Sequence, residues 1–478
     1  MTFNSYVFIL FFMPAVLAGY YYCFLKTTRR TALVFLLVAS AIFYCSAGWE
    51  SAFILLLSML VNYGLFRGMR ACRGHEFMGG GKRLLWIGIA ANLGILIYFK
   101  YYNFFVDSSN LLFGTGLAVR EILVPLGISF VTFQQIAFLA DASRQEISSC
   151  SFLEYALFIS YFPHVSSGPI IRHGDFLPLL HADRKMDWDR FTAGIYLFFM
   201  GLGKKVLIAD VFGSAVDWGY AHVDALNSTS AVFVSLAYSM QIYFDFSGYS
   251  DMAIGISRMM QLDLPVNFDS PYQAVTILDF WKRWHMTLTG FFTKYLYIPL
   301  GGNRKGKIRT YVNTLIVFLC SGLWHGASWT FVIWGGLHGC FMVFTRQFQK
   351  RFDRLPVFLN RCITLVFINV TWVLFRAQSF TVFRQMVRAV TKSEWGQLRE
   401  EIGTCFRPVV LEGVDCPVWL YAVLFLAVTL YVVLKCENVQ QRAEHMRYSP
   451  GACVRVLLVA VLSILSLSGV STFVYSLF

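Results

Sequence analysis

The sequence predicts an all-α protein that crosses a membrane many times, and both its composition and the spacing of its apolar residues indicate this class. Of the 478 residues, 57% are hydrophobic and only 14% are charged, whereas soluble globular proteins carry about a quarter charged residues. The apolar residues come in blocks of about twenty, the length that crosses a bilayer as a helix. Together these features exclude a soluble enzyme, a disordered protein and a small disulfide-held secreted domain.

Twelve apolar blocks follow one another along the chain, and we expect eleven to thirteen crossings within a single membrane domain, 1–478. The first block is retained rather than cleaved, because its basic residues follow it and it has no small-residue cleavage site. The blocks are 5–25, 31–49, 50–66, 84–105, 122–141, 191–210, 231–257, 310–323, 329–344, 362–375, 417–434 and 452–475. Two further segments, 155–178 and 265–302, mix apolar residues with proline, glycine and charge. Such segments are predicted to be re-entrant or interfacial pieces that pack within protein.

The formal charge of +13 is concentrated in alternate short loops. Basic clusters follow the first block (Lys26, Arg29, Arg30) and separate the third from the fourth (Arg67, Arg70, Arg73, Lys82, Arg83). Basic loops stay on the cytoplasmic side of a membrane, so the charge indicates topology rather than binding of nucleic acid. This topology puts both chain ends outside and the loops 144–190 and 282–309 inside.

The 11 cysteines include no C-x-x-C pair. Because zinc needs clustered thiolates or imidazoles, we predict no metal site. Cys405 and Cys416 flank a predicted outside loop, where they either form a disulfide or remain free thiols.

Two histidines stand out among the titratable residues. His325 lies between small residues in GLWHGASW, and small neighbours allow another backbone or a substrate to approach closely. A buried imidazole is held neutral, the form that accepts a proton from a hydroxyl. His285 follows Trp284 in FWKRWHMTLT, where it is either a site residue or a structural histidine bonded to backbone. His338 lies within a predicted span, and helix packing accounts for it.

These blocks resemble the membrane-bound O-acyltransferase family, in the bacterial branch that acetylates alginate and other cell-surface polymers. The resemblance is carried by FWKRWHMTLT at 280–289, YLYIPLGGNRKG at 295–306 and GLWHGASWTFVIWGGLHG at 322–339. Weaker matches are YFKYYNFF at 98–105, PLGISFVTFQ at 125–134, YFPHVSSGPIIR at 161–172 and YFDFSGYSDMAIG at 243–255. It implies a helical fold around a central cavity or tunnel.

The resemblance also implies a site. His325 corresponds to the family's catalytic histidine and His285 to its second characteristic histidine, with Trp324 and Trp284 beside them at the donor and acceptor. Acetyl-coenzyme A is the implied acyl donor, and no bound cofactor is expected. An extracytoplasmic SGNH-type acetyltransferase partner and a polysaccharide acceptor are implied as well.

The glycine-rich turn Gly301–Lys305 is basic, with Asn303, Arg304 and Lys305 at its tip. It has two interpretations. Exposed backbone N–H groups and cations favour the phosphates of coenzyme A, whereas a positive-inside loop also contacts anionic lipid.

Two carboxylates, Asp245 and Asp251, occupy one predicted span. Their separation of six residues puts them on different faces of a helix, so we expect each to pair with a basic group such as Arg258 rather than to act together.

The segment 473–478 matches an F-x-Y-x-x-F pattern that the same branch carries. By resemblance, Tyr475 relays the acyl group as a covalent carrier. The other interpretation is an aromatic residue that anchors the last span at the membrane interface.

The sequence therefore predicts an O-acetyltransferase of the bacterial inner membrane. Two alternatives stay open. One is D-alanyl transfer from a carrier protein to teichoic acid, although relatives of that kind take the F-x-Y-x-x-F pattern from a separate peptide. The other is a small-solute transporter, which the lack of an internal repeat disfavours.

Overall fold

Helices account for the regular secondary structure throughout the described part of the chain. The structure is a computed structural model, and it describes residues 1–72, 80–182, 185–408, 416–445, 449–467 and 473. Among these residues, five helices are long and apolar enough to cross a membrane: Phe8–Lys26, Trp49–Ala71, Gly80–Phe113, Val357–Arg376 and Val418–Lys435. The predicted class of all-α polytopic membrane protein is confirmed, whereas the total of eleven to thirteen crossings stays a prediction.

The chain divides into two compact units. The first comprises Met1–Phe198 and Ala253–Pro265. Its helices are Phe8–Phe12 with Met13–Lys26, Arg29–Cys45, Trp49–Ala71, Gly80–Leu96, Ile97–Tyr101, Tyr102–Phe113, Ile128–Ser143, Phe152–Ser160, His173–His181 and the first part of Trp188–Gly203. The predicted re-entrant segment 155–178 lies in this unit, where Tyr155–Ser160 is buried along its whole length.

The second unit comprises Phe199–Met252 and Val266–Phe478. It contains the part of helix Ser228–Met259 that ends at Met252. Its other helices are Lys204–Ala209, Asp210–Ala221, Val223–Ala225, Pro271–Gln273, Ile277–Arg283, Met286–Phe292, Thr293–Tyr297, Lys307–His325, Trp329–Gln347, Gln349–Phe352, Val357–Arg376, Phe380–Thr391, Glu400–Thr404, Val418–Lys435, Val439–Glu444 and Pro450–Leu465. The segment 265–302 folds as a run of short helices, and its re-entrant or interfacial position stays a prediction.

Helices Lys307–His325 and Trp329–Gln347 form the closest helix pair that bears on the site. A Cβ added at Gly335 would lie 2.2 Å from the carbonyl oxygen of Phe318, so only glycine allows the backbones to approach this far. A Cβ at the neighbouring Gly336 meets its nearest atom at 3.5 Å, an ordinary contact. The pair of helices thus depends on Gly335 and not on Gly336.

We expect Gly335→Ala to lower the free energy of unfolding by about 1–3 kcal/mol, because the added methyl group overlaps a carbonyl that cannot move aside. Thermal unfolding of the purified protein in detergent measures the change. Gly336→Ala is the matched control and should unfold close to the wild-type midpoint. Equal midpoints for the two variants would contradict the close-packing argument.

Candidate active site

His325 is the last residue of helix Lys307–His325, and Gly326 ends that helix in an extended conformation. The imidazole is 1% exposed. Three aromatic rings surround it, with ring centroids at 4.9 Å for Trp324, 5.2 Å for Trp334 and 5.4 Å for Phe375. The predicted base therefore lies at a helix end, packed among aromatic rings.

His285 is held in an unusual backbone conformation between helices Ile277–Arg283 and Met286–Phe292. Its φ is 46° and its ψ is 52°, in the left-handed region, which is rare for a residue other than glycine and is often found at functional sites. Its Nδ1 lies 3.0 Å from Oδ1 of Asn267. The same oxygen accepts hydrogen bonds from the backbone N–H and the hydroxyl of Thr287 at 3.3 and 2.9 Å.

These contacts assign the protonation of the His285 ring. Because Oδ1 of Asn267 can only accept, Nδ1 of His285 must donate, and in a neutral ring Nε2 is then the acceptor. His285 lies between the predicted spans, and burial lowers the pKa of its imidazole to about 3. His285 is thus a neutral imidazole that can accept a hydrogen bond at Nε2. This favours orientation of a hydroxyl over polarisation of a carbonyl.

The two predicted histidines lie side by side. Their ring centroids are 6.4 Å apart, and the ring of Trp324 is 6.0 Å from that of His285. The ring of Trp284 stacks on that of Phe280, with centroids 5.6 Å apart. Its centroid lies 5.1 Å from that of Trp372. The two histidines that the sequence predicts as site residues are therefore neighbours in the structure.

His338 has a different environment. Its Nδ1 accepts a hydrogen bond from Nε1 of Trp281 at 3.2 Å, and its Nε2 lies 3.0 Å from Oγ1 of Thr371. Both ring nitrogens are thus engaged in fixing helix packing, as predicted for this residue.

The glycine-rich turn is a solvent-exposed loop at the start of the helix that ends in His325. Asn303, Arg304 and Lys305 are exposed, and left-handed φ angles of 106° and 55° explain the glycines at 301 and 302. Nδ2 of Asn313 donates to the carbonyl of Gly302 at 2.9 Å. Since Asn313 precedes His325 by twelve residues, the loop is about 18 Å from His325 along the helix axis.

The two carboxylates of helix Ser228–Met259 pair with neighbouring lysines. Asp245 lies 2.7 Å from Nζ of Lys205, and Asp251 lies 2.6 Å from Nζ of Lys204. The expectation of separate structural pairs is confirmed, but Arg258 as a partner is wrong, because Arg258 pairs with Asp263. The lysines lie some forty residues before their partners, too far for helical spacing to connect them.

The predictions for the cysteine pair and for Tyr475 have different outcomes. Cys405 and Cys416 are free thiols. Tyr475 lies outside the described residues, whereas Phe473 of the same motif is described. Asn267, which orients His285, was missed by sequence reasoning, and the only available signal was a polar residue soon after Pro265 in a re-entrant segment.

Comparison with known proteins identifies the class of this membrane protein. The model of the MBOAT family, the membrane-bound O-acyltransferases, matches residues 77–387. A peptidoglycan O-acetyltransferase of Helicobacter pylori is 38% identical over 79% of this chain and 77% of its own length. A probable alginate O-acetylase AlgI of Pseudomonas aeruginosa is 36% identical, over 84% of this chain and 76% of its own. A teichoic acid D-alanyltransferase of Bacillus subtilis is 29% identical over 52% of this chain and 65% of its own.

The family model and the named relatives define this all-α membrane protein as an acyltransferase. The chain belongs to the membrane-bound O-acyltransferase family. Membership in an enzyme family decides against the small-solute transporter that the sequence left open.

Proposed function

We propose that this enzyme takes an acetyl group from a thioester on the cytoplasmic side of a bacterial inner membrane and passes it to hydroxyl groups of a cell-surface polysaccharide outside. The observation that carries the proposal is the buried His285–His325 pair, with ring centroids 6.4 Å apart. Relatives named as acetylating enzymes match more of this chain, at higher identity, than the D-alanyltransferase does. This supports acetyl over D-alanyl transfer.

In the proposed first half-reaction, acetyl-coenzyme A is the donor and Tyr475 is the nucleophile. The phenolic hydroxyl first donates its one proton in a hydrogen bond to Nε2 of His285, which orients it. It then turns to His325, which accepts that proton while the oxygen attacks the thioester carbonyl. The carbon–sulfur bond then breaks, and the thiolate recovers the proton from His325. The products are an acetyl ester of Tyr475 and free coenzyme A.

In the second half-reaction an acceptor hydroxyl attacks the tyrosyl ester, and His325 takes the proton of that hydroxyl. The phenolate of Tyr475 leaves and recovers the proton, which regenerates the enzyme. The acceptor is a polymer hydroxyl or a serine of an SGNH-type partner that delivers acetyl onward. With both chain ends outside, the segment 473–478 begins on the acceptor side.

The exposed loop 303–305 is proposed to bind the phosphates of coenzyme A. It precedes the N-terminus of a helix, where the macrodipole favours anions, and its axial distance of about 18 Å from His325 is on the order of an extended pantetheine arm. The acyl group would then reach the histidines while the charged nucleotide stays in water.

Replacing Arg304 and Lys305 with glutamine is expected to raise KM for acetyl-coenzyme A roughly tenfold and leave kcat within about twofold, because the lost cations bind ground state and transition state alike. Steady-state release of thiol measures both constants. The matched control is Lys350→Gln with Arg354→Gln, which removes two exposed charges predicted on the same side. An unchanged KM in the loop variant would leave anionic lipid as the partner of the loop.

Inside-out vesicles from a bacterium that expresses the enzyme with an SGNH-type partner test the function itself. Their lumen corresponds to the outside of the cell, so radiolabelled acetyl-coenzyme A added to the medium reaches only the proposed donor side. We expect labelled acetyl to accumulate in the lumen on an alginate oligosaccharide or a peptidoglycan fragment enclosed there. Lumenal label no faster than in vesicles carrying His325→Ala would refute transfer across the membrane.

A further inference from the structure

Two adjacent lysines of the second unit lie in a buried cluster of charges. Lys205 is 2% exposed, and its Nζ lies 2.7 Å from Asp245 and 2.8 Å from Asp210. Lys204 pairs with Asp251, which also accepts a hydrogen bond from Nε2 of Gln440 at 2.8 Å. A buried cation is stable only where such partners hold it, and two carboxylates fix the ammonium group of Lys205 in place.

The ring of Phe473 lies over this fixed ammonium group. Nζ of Lys205 is 4.7 Å from the centroid of the Phe473 ring, within the distance at which a cation is attracted to an aromatic face. The ring of Tyr249 meets Phe473 edge-on, with centroids 4.8 Å apart at 83°. Phe473 is 4% exposed, so the cation–π contact is shielded from water, the condition in which it is strongest.

The same helix connects this contact to the histidine pair. Phe246 and Tyr249 are three residues apart on helix Ser228–Met259 and so lie on one face. The ring of Phe246 is 4.8 Å from that of His285, while Tyr249 contacts Phe473. The Phe473 contact and the His285 contact are therefore made by neighbouring side chains. One residue of chain, Val474, separates Phe473 from Tyr475, which limits their Cα atoms to about 7 Å apart.

We propose that Lys205, fixed by Asp245 and Asp210, is the anchor for the F-x-Y-x-x-F segment and that its contact with Phe473 positions Tyr475 for acyl transfer. Lys205 and Phe473 are positioning residues, since they act through Tyr475. The role of Tyr475 rests on the proposed function, whereas the Lys205–Phe473 anchor does not.

A fluorination series at Phe473 tests the anchor without disturbing the buried ion pairs. Mono-, di- and trifluorophenylalanine, introduced by nonsense suppression, weaken the negative face of the ring stepwise with little change in size. We expect the transfer rate to fall with each fluorine, by on the order of tenfold across the series, and amide exchange of the peptide containing Phe473 to rise in the same order. The control is the same series at Phe212, a buried ring that packs on Phe406 and Phe425.

A second pair of variants distinguishes loss of the cation–π contact from loss of the fold. Phe473→Trp keeps an aromatic face over Lys205 and is expected to retain activity and slow exchange. Phe473→Leu keeps an apolar side chain but has no aromatic face. It is expected to lose activity and to exchange its amide hydrogens faster, while its unfolding midpoint stays unchanged. Equal exchange in all Phe473 variants would overturn the anchor.

The experiments can reject the Lys205–Phe473 anchor and the Tyr475 relay independently. If Tyr475→Phe keeps full activity while exchange at Phe473 still follows the fluorine series, the relay is wrong and the anchor stands. If Tyr475→Phe is inactive but fluorination of Phe473 changes neither the transfer rate nor amide exchange, the relay stands and Lys205 does not anchor Phe473.

Discussion

Replacing His325 with alanine is expected to lower kcat for acetyl transfer by about a thousandfold. The proposed mechanism needs this imidazole to take the proton of the attacking hydroxyl, and a positioned general base contributes about 10²–10⁴ in rate. Its 1% exposure excludes bulk water as a ready substitute. Acetyl transfer to polysaccharide, measured with radiolabelled donor, gives the rate.

Alanine also leaves a gap among Trp324, Trp334 and Phe375, so the loss of activity must be separated from loss of fold. His325→Gln nearly fills the volume but cannot act as a base, and it should be as inactive as His325→Ala with an unfolding midpoint nearer wild type. His222→Ala is the histidine control, because His222 is exposed and stacks on Trp218. A His325→Gln enzyme with wild-type kcat would remove His325 from the mechanism.

Tyr475→Phe is expected to lower transfer at least a hundredfold, because it deletes the nucleophilic oxygen and keeps the ring. A role as interfacial anchor predicts little change instead, since phenylalanine keeps most of the apolar contact. Intact-mass analysis after incubation with acetyl-coenzyme A, without acceptor, should detect one acetyl group on wild type and none on the variant.

The control is Tyr431→Phe, which removes a hydroxyl from an exposed tyrosine on helix Val418–Lys435. It should match wild type in both rate and acetylation. Full transfer activity in Tyr475→Phe would dismiss the relay and leave direct transfer from the thioester to the acceptor.

The sequence predicted the class of fold and the two histidines for different reasons. Long apolar blocks reveal membrane helices because the bilayer fixes their length. His285 and His325 are forty residues apart, and no helical spacing brings them together. The motif resemblance implied that they form a pair, and the structure shows their rings 6.4 Å apart, with His285 held in a left-handed backbone conformation.

The partners of the buried charges could not be predicted in the same way. Asp245 and Asp251 were correctly expected to form separate ion pairs, but the nearest basic residue on their own helix, Arg258, was the wrong choice. Lys204 and Lys205 occupy a different helix, and tertiary packing alone brings them to the carboxylates. Asn267 escaped notice for a related reason, because its role depends on the backbone turn that His285 makes.

Release of coenzyme A thiol in a single turnover, with enzyme in excess over acetyl-coenzyme A, measures the proposed action of His325 on its own. This isolates attack on the thioester from delivery to the polymer. We expect His325→Gln, at an equal concentration of folded protein, to release thiol at least a hundredfold more slowly than wild type. Release at the wild-type rate would contradict catalysis by the buried imidazole of His325.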